Sequence, residues 1–372
     1  MSDFFKILDD HHKAQLPFVI YHKPNAEQVF FHRMNTDKLF RINSFEGSGY
    51  VFAPFDLKEK AILFPQKDLE SYYIDLSDID LDELTFEKKE IDENPNEKQI
   101  YLDLLELTLK EISGDENLDK IVTSRQINFH KKDLNVSLLF KRMLKAYPNA
   151  MTYIWFHPKV GLWAGATPET LIKLKRNQLQ TMALAGTRHE NVIESQPFTE
   201  KEKKEQAFVT EQILEALRQT KATDIQTSDL KVAPAAELFH LLTEIQAQIQ
   251  PENFDAVLKA IHPTPAVCGL PKEKSFNFLL KNENYDRQFY AGFLGELNWK
   301  SEKVRSNRQR NQENQVFKSI QKTSDLYVNL RCLSYKNEKI SLYVGGGITA
   351  ESQPEDEWEE TQNKSQTMLK VL

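Results

Sequence analysis

Near its C-terminus the chain reads LYVGGGITAESQPEDEWEETQNKSQTML over residues 342–369. Three consecutive glycines, Gly345, Gly346 and Gly347, follow an apolar run, and a helix-like segment then carries Glu357, Glu360 and Lys364. Spacings of three and four residues put those side chains on one helical face. A glycine turn offers backbone N–H groups to an anion. A second acidic segment, EKEKKEQAFV (200–209), sets Glu202 and Glu205 three residues apart. Two such carboxylate pairs on separate helices suit Mg²⁺, which takes oxygen ligands, keeps several waters and shares a substrate acid. The plainer reading is two solvated, glutamate-rich helix faces.

Further groups carry chemistry of their own. Lys120 opens the otherwise apolar run KIVTSR. A lysine sheltered there loses solvation, which favours its neutral form and lets it take a proton from water; a strand-edge lysine reaching out to solvent is the alternative. Glu169 follows Thr167 and Pro168. Thr167 suits an N-cap and Pro168 a first helical position, which puts Glu169 in a first turn, stabilising the helix dipole. As an acid catalyst it would instead need burial to raise its pKa. In LYVNLR, strand alternation sets Tyr327, Asn329 and Arg331 on one face. Arginine there clamps a carboxylate through two parallel hydrogen bonds, or forms an ordinary surface ion pair. His262 lies in HPTPAVCG beside two fixed prolines, a rigid place from which to orient a substrate group, and Cys268 reads as a small buried residue.

These groups need a body to hold them. The chain has 372 residues with 28% charged and 40% hydrophobic, enough for two or three ordinary domains or one large α/β body. A net charge of −7 argues against nucleic acid and against an anionic membrane surface as partners. No run is apolar for long enough to span a bilayer, and the first residues lack the basic-then-apolar order of a secretory signal. With only two cysteines, no disulfide framework and no zinc cluster is expected. A cytoplasmic location follows as the expectation.

Strands are predicted over 17–22, 28–32, 51–55, 61–65, 120–129, 152–157, around 179–184, and over 289–299, 326–333 and 339–346. Helices are predicted from Ile100 to about Gly114, then over 136–147, 199–219, 254–261 and 355–370. Residues 79–99 read as a linker, dividing a β-rich lobe (1–96) of the same body from a main region (97–372). The polar stretch 300–324 reads as a solvent-exposed hairpin excursion. No nucleotide-binding glycine loop and no G-x-S-x-G is present.

Taken in order, KIVTSR, GATPETLI, ALAGTR, EKEKKEQAFV, HPTPAVCG, ENYDRQFYAG, LYVNLRC, LYVGGGI and EDEWEETQNKSQTML resemble the motifs of the chorismate-utilising enzymes. That family includes anthranilate, aminodeoxychorismate, isochorismate and salicylate synthases, and the resemblance covers roughly residues 97–372. It implies an α+β fold, a large mixed body whose two halves pack around a central β-sandwich, with the site closed by the metal-bearing helices. It implies Mg²⁺ on Glu205 and Glu360, with Glu202 and Glu357 as direct or water-mediated supports, the ion gripping the ring carboxylate of chorismate. Arg331, Lys364 and backbone N–H groups near Gly345, Gly346 and Gly347 would bind the enolpyruvyl carboxylate. Ala185, Gly186 and Thr187 would line the ring pocket, and His262 would orient near the ring carboxylate or leaving group.

Two positions bear on the reaction. Lysine at position 120 is similar to the isochorismate and salicylate synthases rather than the ammonia users. Ala185 stands where aminodeoxychorismate synthases carry a nucleophilic lysine. The resemblance therefore implies an isochorismate synthase, with Lys120 as base and Glu169 as acid. Salicylate synthase is the alternative, and a non-catalytic chorismate-binding subunit the reading from another class. A water-using enzyme needs no glutaminase; a monomer or weak homodimer is expected. Menaquinone and siderophore synthesis are equally open as destinations of the product. Gly346 departs from the alanine of A-G-A-G-I, which loosens the loop but keeps the donors.

Overall fold

The computed structural model describes residues 2–86, 95–189, 197–235, 238–303 and 319–372. The apolar and alternating runs pair into two large antiparallel sheets. The first runs Gly269–Leu270, Lys120–His130, Lys339–Ile348, Cys332–Lys336, Gly161–Thr167, Met151–His157, Phe18–His22, Gln28–Arg33, Glu70–Asp75. The second runs Thr223–Thr227, Leu238–Gln248, Gln178–His189, Thr170–Lys175, Ser319–Val328, Phe293–Lys303, Gly49–Ala53, Ala61–Pro65, Arg41–Ile42, and Lys231–Ala235 also pairs with Leu238–Gln248.

The sheets share one core. Phe52 of the second sheet stacks 4.7 Å from Trp155 of the first and 4.3 Å from Phe289, and Phe64 stacks 5.1 Å from Trp155. Packed aromatic faces of this kind add to the area they bury. The first hundred residues belong to both layers, since Phe18–His22 pairs with Met151–His157 and Gly49–Ala53 with Phe293–Lys303. Outside the first sheet, the helix Ser2–Lys13 buries Phe5 and Leu8 with residues of the helix Val136–Ala146 and the C-terminal Met368, Leu369 and Val371. No described helix is long and apolar enough to cross a membrane.

Several expectations need correcting. The helix Ser2–Lys13 was not anticipated, and neither were the strands between 223 and 248. The helix expected from Ile100 begins at Pro95, a residue suited to a first turn. Of the expected linker, residues 87–94 lie outside the described residues. In the polar stretch 300–324, the two strands pair as far as Lys303 with Ser319, and 304–318 lie outside the described residues. The three glycines do not form a turn. They lie within Lys339–Ile348, paired with Ser124, Thr123 and Val122.

Two corrections matter most for the site. Glu169 opens no helix. The strand Gly161–Thr167 of the first sheet ends there, and Thr170–Lys175 of the second begins. Likewise 326–333 is not one strand. Ser319–Val328 belongs to the second sheet and Cys332–Lys336 to the first, so the three intervening residues cross between layers. Asn329, fully buried, holds the crossing by accepting from Tyr153 Oη at 2.5 Å and donating to the Phe289 carbonyl at 2.8 Å. Arg331 adopts φ +47°, a left-handed conformation costly for a non-glycine residue and typical of functional sites. The two crossings touch. Val328 N–H donates to the Glu169 carbonyl at 3.0 Å, and Ala166 N–H to the Arg331 carbonyl at 3.1 Å.

Between the sheets lies a second polar cluster. Tyr21 Oη donates to Glu296 Oε1 at 2.5 Å, and Lys23 Nζ lies 2.8 Å from Glu296 and 3.2 Å from Asp325. His32 Nε2 is 3.0 Å from Tyr21 Oη, and Ser71 Oγ is 2.8 Å from Nδ1, which assigns the neutral Nε2–H tautomer. Burial, aided by Lys23, pushes the His32 pKa down to about 3. Below the unfolded value near 6.5, the unfolded chain takes a proton that folded His32 refuses. Its contribution is therefore complete above that pH and is lost as pH falls toward about 3. The loss is at most about 1.4 kcal/mol per pH unit. Denaturant titrations of wild type and His32→Gln are expected to converge as pH falls from about 7 to about 5. A constant difference between them would contradict this assignment.

Candidate active site

A cavity of about 510 Å³ opens where the two sheet crossings meet, and most of the chemically capable residues face it. The first sheet contributes Lys120, Gly345, Gly346 and Gly347; the second contributes Ala185, Gly186 and His240. Glu169 and Arg331 arrive from the crossings. Glu202 and Glu205 come from the helix Glu200–Gln219, and Glu357, Glu360 and Lys364 from the helix Pro354–Leu369.

Glu169 is only 3% exposed. Burial raises its pKa to about 7, against the lowering effects of the Thr264 hydroxyl, Lys120 and Arg331. The Thr264 hydroxyl donates to Glu169 Oε1 at 3.3 Å. A carboxylic acid poised at neutrality can give a proton to a leaving oxygen. The segment expected to start a helix, with Glu169 in its first turn, instead crosses from one sheet to the other and buries the side chain.

Lys120 is also buried, and its ammonium is ion-paired with Glu205 Oε1. The amine must leave this carboxylate before it can act on water. Its strand is tied to the helix Pro354–Leu369 by Arg125, whose guanidinium lies 3.9 Å from the Trp358 ring and whose Nε donates to Thr361 Oγ1 at 2.8 Å. That contact holds the strand of Lys120 and the glutamate-bearing helix in register.

The carboxylates fit a hard cation in kind. Glu360 pairs with Lys364 at 2.5 Å, and that ammonium holds the Glu360 pKa below the usual range despite burial. Lys364 also donates to the Gly345 carbonyl at 2.9 Å. Glu357 Oε1 accepts from Ser352 Oγ at 2.7 Å, while its buried Oε2 has no hydrogen-bond partner among the described residues. An unpartnered carboxylate oxygen in one cavity with two lysine-paired carboxylates is a donor set of the kind a hard cation takes. Among the described residues, no three acidic, histidine or cysteine groups form a ready cage. Magnesium does not need one, since one or two carboxylates and its waters suffice. Glu202 has a structural task as well: with Thr199 it forms a capping box, accepting from Thr199 N–H at 2.8 Å.

His262 is not at the cavity. Its ring is 2% exposed, its Nε2 lies 3.0 Å from the Phe55 carbonyl, and burial drives its pKa to about 3. It is a packed histidine of the core, and the expectation that it orients substrate is corrected. Among the described residues, the histidine that lines the cavity is His240. Its Nδ1 donates to the Gly186 carbonyl at 2.8 Å, which leaves Nε2 as a lone pair 3.5 Å from Arg331 Nη2. Burial lowers its pKa to about 4, so it is a neutral acceptor at pH 7. The available signal was the alternation in HLLTEIQA, where Leu241, Ile245 and Ala247 are buried and mark a strand. The side chain of Thr187 lies outside the described residues, although its strand is described.

A two-sheet α+β body, with a buried acid, a buried amine and clustered carboxylates at its sheet crossings, defines an enzyme-like architecture. The family described as chorismate binding enzyme matches residues 67–372, and the chain belongs to it. The isochorismate synthase MenF of Haemophilus influenzae is 31% identical over 288 residues, 74% of this chain and 61% of that protein. The chain thus spans about three fifths of the length of that relative. Among solved structures, DhbC of Bacillus anthracis superposes with a TM-score of 0.75 at 22% identity, covering 99% of both chains. MenF of Escherichia coli, described as the menaquinone-specific isochorismate synthase, gives 0.72 at 20% identity, covering 95% of this chain and 89% of that one. At these identities the superpositions speak for the fold.

Proposed function

We propose that the chain is a Mg²⁺-dependent isochorismate synthase, converting chorismate to isochorismate. The observation that carries this reading is the pairing in one cavity of Lys120 with a Glu169 whose pKa burial lifts to about 7. Similarity to isochorismate synthases supports it from outside.

Lys120, once released from Glu205, takes a proton from a water that attacks ring C2. The conjugated double bonds shift and the C4–O bond breaks. Glu169 gives its proton to the departing hydroxyl, which leaves as water. One water enters and one leaves, so the reaction is an isomerisation. Arg331, beside the His240 lone pair, and Lys364 supply cationic partners for the enolpyruvyl carboxylate. Glu205 and Glu360, supported by Glu357 and Glu202, would hold Mg²⁺, which supplies charge neutralisation for the ring carboxylate. Water as nucleophile removes the need for an ammonia-supplying subunit.

Chromatography of purified protein with chorismate and Mg²⁺ tests this. Isochorismate without free pyruvate is the expected result. Salicylate together with pyruvate would replace the reading by salicylate synthase, and unconsumed chorismate would overturn it in favour of a binding subunit.

A further inference from the structure

The three adjacent glycines of the cavity wall are glycine for different reasons. A Cβ on Gly345 would lie 2.4 Å from the Thr123 carbonyl oxygen, so the close approach of two strands excludes a side chain there. Among the described residues, a Cβ on Gly346 would meet only Glu357 Oε2, at 3.0 Å. A Cβ on Gly347 would lie 2.3 Å from Lys120 Cε, 2.9 Å from Nζ and 3.7 Å from Cδ, and these three atoms are the nearest to it. No left-handed backbone forces glycine at 347, because its φ is not among the positive ones. Its partner in the ladder is Val122, two residues along from Lys120 on the same strand. The fold itself would therefore accept alanine at this position, and only the lysine would not.

We propose that Gly347 is a positioning residue: its missing side chain is the slot through which the end of Lys120 reaches the cavity. The proposal rests on the reading of Lys120 as the base. A lysine stem turns about four bonds, so a methyl group at 347 displaces the amine and leaves the strand in place. Misplacing a catalytic group by about an ångström costs on the order of 10²-fold in rate. The loss belongs in kcat, because the atoms nearest the methyl group all belong to Lys120 and none to Arg331 or the carboxylate-bearing helices.

The test is a four-membered cycle: wild type, Gly347→Ala, Lys120→Ala and the double variant, each measured for kcat, KM for chorismate and stability in denaturant. Gly347→Ala is expected to lose roughly 10²-fold in kcat with KM for chorismate within about threefold. The double variant should turn over at the rate of Lys120→Ala alone and be as stable as Lys120→Ala, because the slot is then empty. Near wild-type kcat in Gly347→Ala would overturn the proposal. So would an equal further loss when the methyl is added to Lys120→Ala. If Gly347→Ala fails to fold, the double variant decides: recovery of stability supports the slot, and continued failure overturns it. Wild-type activity in Lys120→Ala would instead remove the functional reading, while the stability coupling would still report on the slot.

Discussion

Lys120→Ala and Glu169→Gln are each expected to fold, to bind Mg²⁺ and to lose roughly 10²–10⁴ in kcat, the range for one positioned proton transfer. The two losses should differ in kind. Glutamine keeps the shape of Glu169 and a hydrogen bond from Thr264 but has no proton to give. Its pH profile is therefore informative. Because burial lifts the Glu169 pKa to about 7, the acid form is abundant below that pH and disappears above it. Wild-type kcat is expected to fall as pH rises through about 7, and the residual rate of Glu169→Gln should lack that limb. The same shift has a stability consequence of opposite sign to that of His32. Folded Glu169 keeps a proton that the unfolded chain releases above about 4.5, so its contribution is present below 4.5 and is lost as pH rises to about 7. Stability in Glu169→Gln should depend less on pH across that window. Activity close to wild type in either variant would remove the proposed mechanism.

Breaking the Arg287–Glu283 pair is expected to cost about 3–5 kcal/mol, a large part of the roughly 5–15 kcal/mol that holds an ordinary domain together. The pair is bidentate, with both contacts at 2.6 Å, and its side chains are 4% and 3% exposed. Arg287 also donates to the carbonyls of Val267 at 3.0 Å and Val122 at 2.7 Å, and Glu283 accepts from the Ser124 N–H at 2.9 Å and hydroxyl at 2.7 Å. Three segments thus meet at one ion pair, the 283–287 stretch, the loop at Val267 and the strand that carries Lys120. In Glu283→Gln the guanidinium stays buried without its countercharge, and in Arg287→Met the carboxylate does. Each leaves an isolated charge in a poorly solvated place, which explains the size of the effect. Because the pair is buried, added salt should not reproduce the loss. Equilibrium unfolding in urea measures it, and a cost below about 1 kcal/mol would show that water reaches the site.

Much of the site was legible in the chain because helical spacing is local. Glu202 with Glu205, and Glu357 with Glu360 and Lys364, share faces by arithmetic, and the structure turns both faces to one cavity. The strand ladders were visible wherever side chains alternate. The reading failed where the chain changes layers. Thr167-Pro168-Glu169 has the letters of a helix start, and LYVNLRCL has those of an unbroken strand, yet both are crossings between sheets. Local preference cannot report a crossing, because its stabilising partners, such as Tyr153 and Phe289 for Asn329, are distant in sequence.

What the sequence by itself determined is the inventory: a lysine, a glutamate after Thr167-Pro168, an arginine, two acidic helices and the family motifs that order them. Which histidine faces the cavity was decided only by the tertiary structure. So were the protonation of Glu169 at neutral pH and the reason position 347 carries no side chain. The physical reason is that protonation and free space depend on everything packed around a group, and here that packing is assembled from two sheets and two helices far apart along the chain.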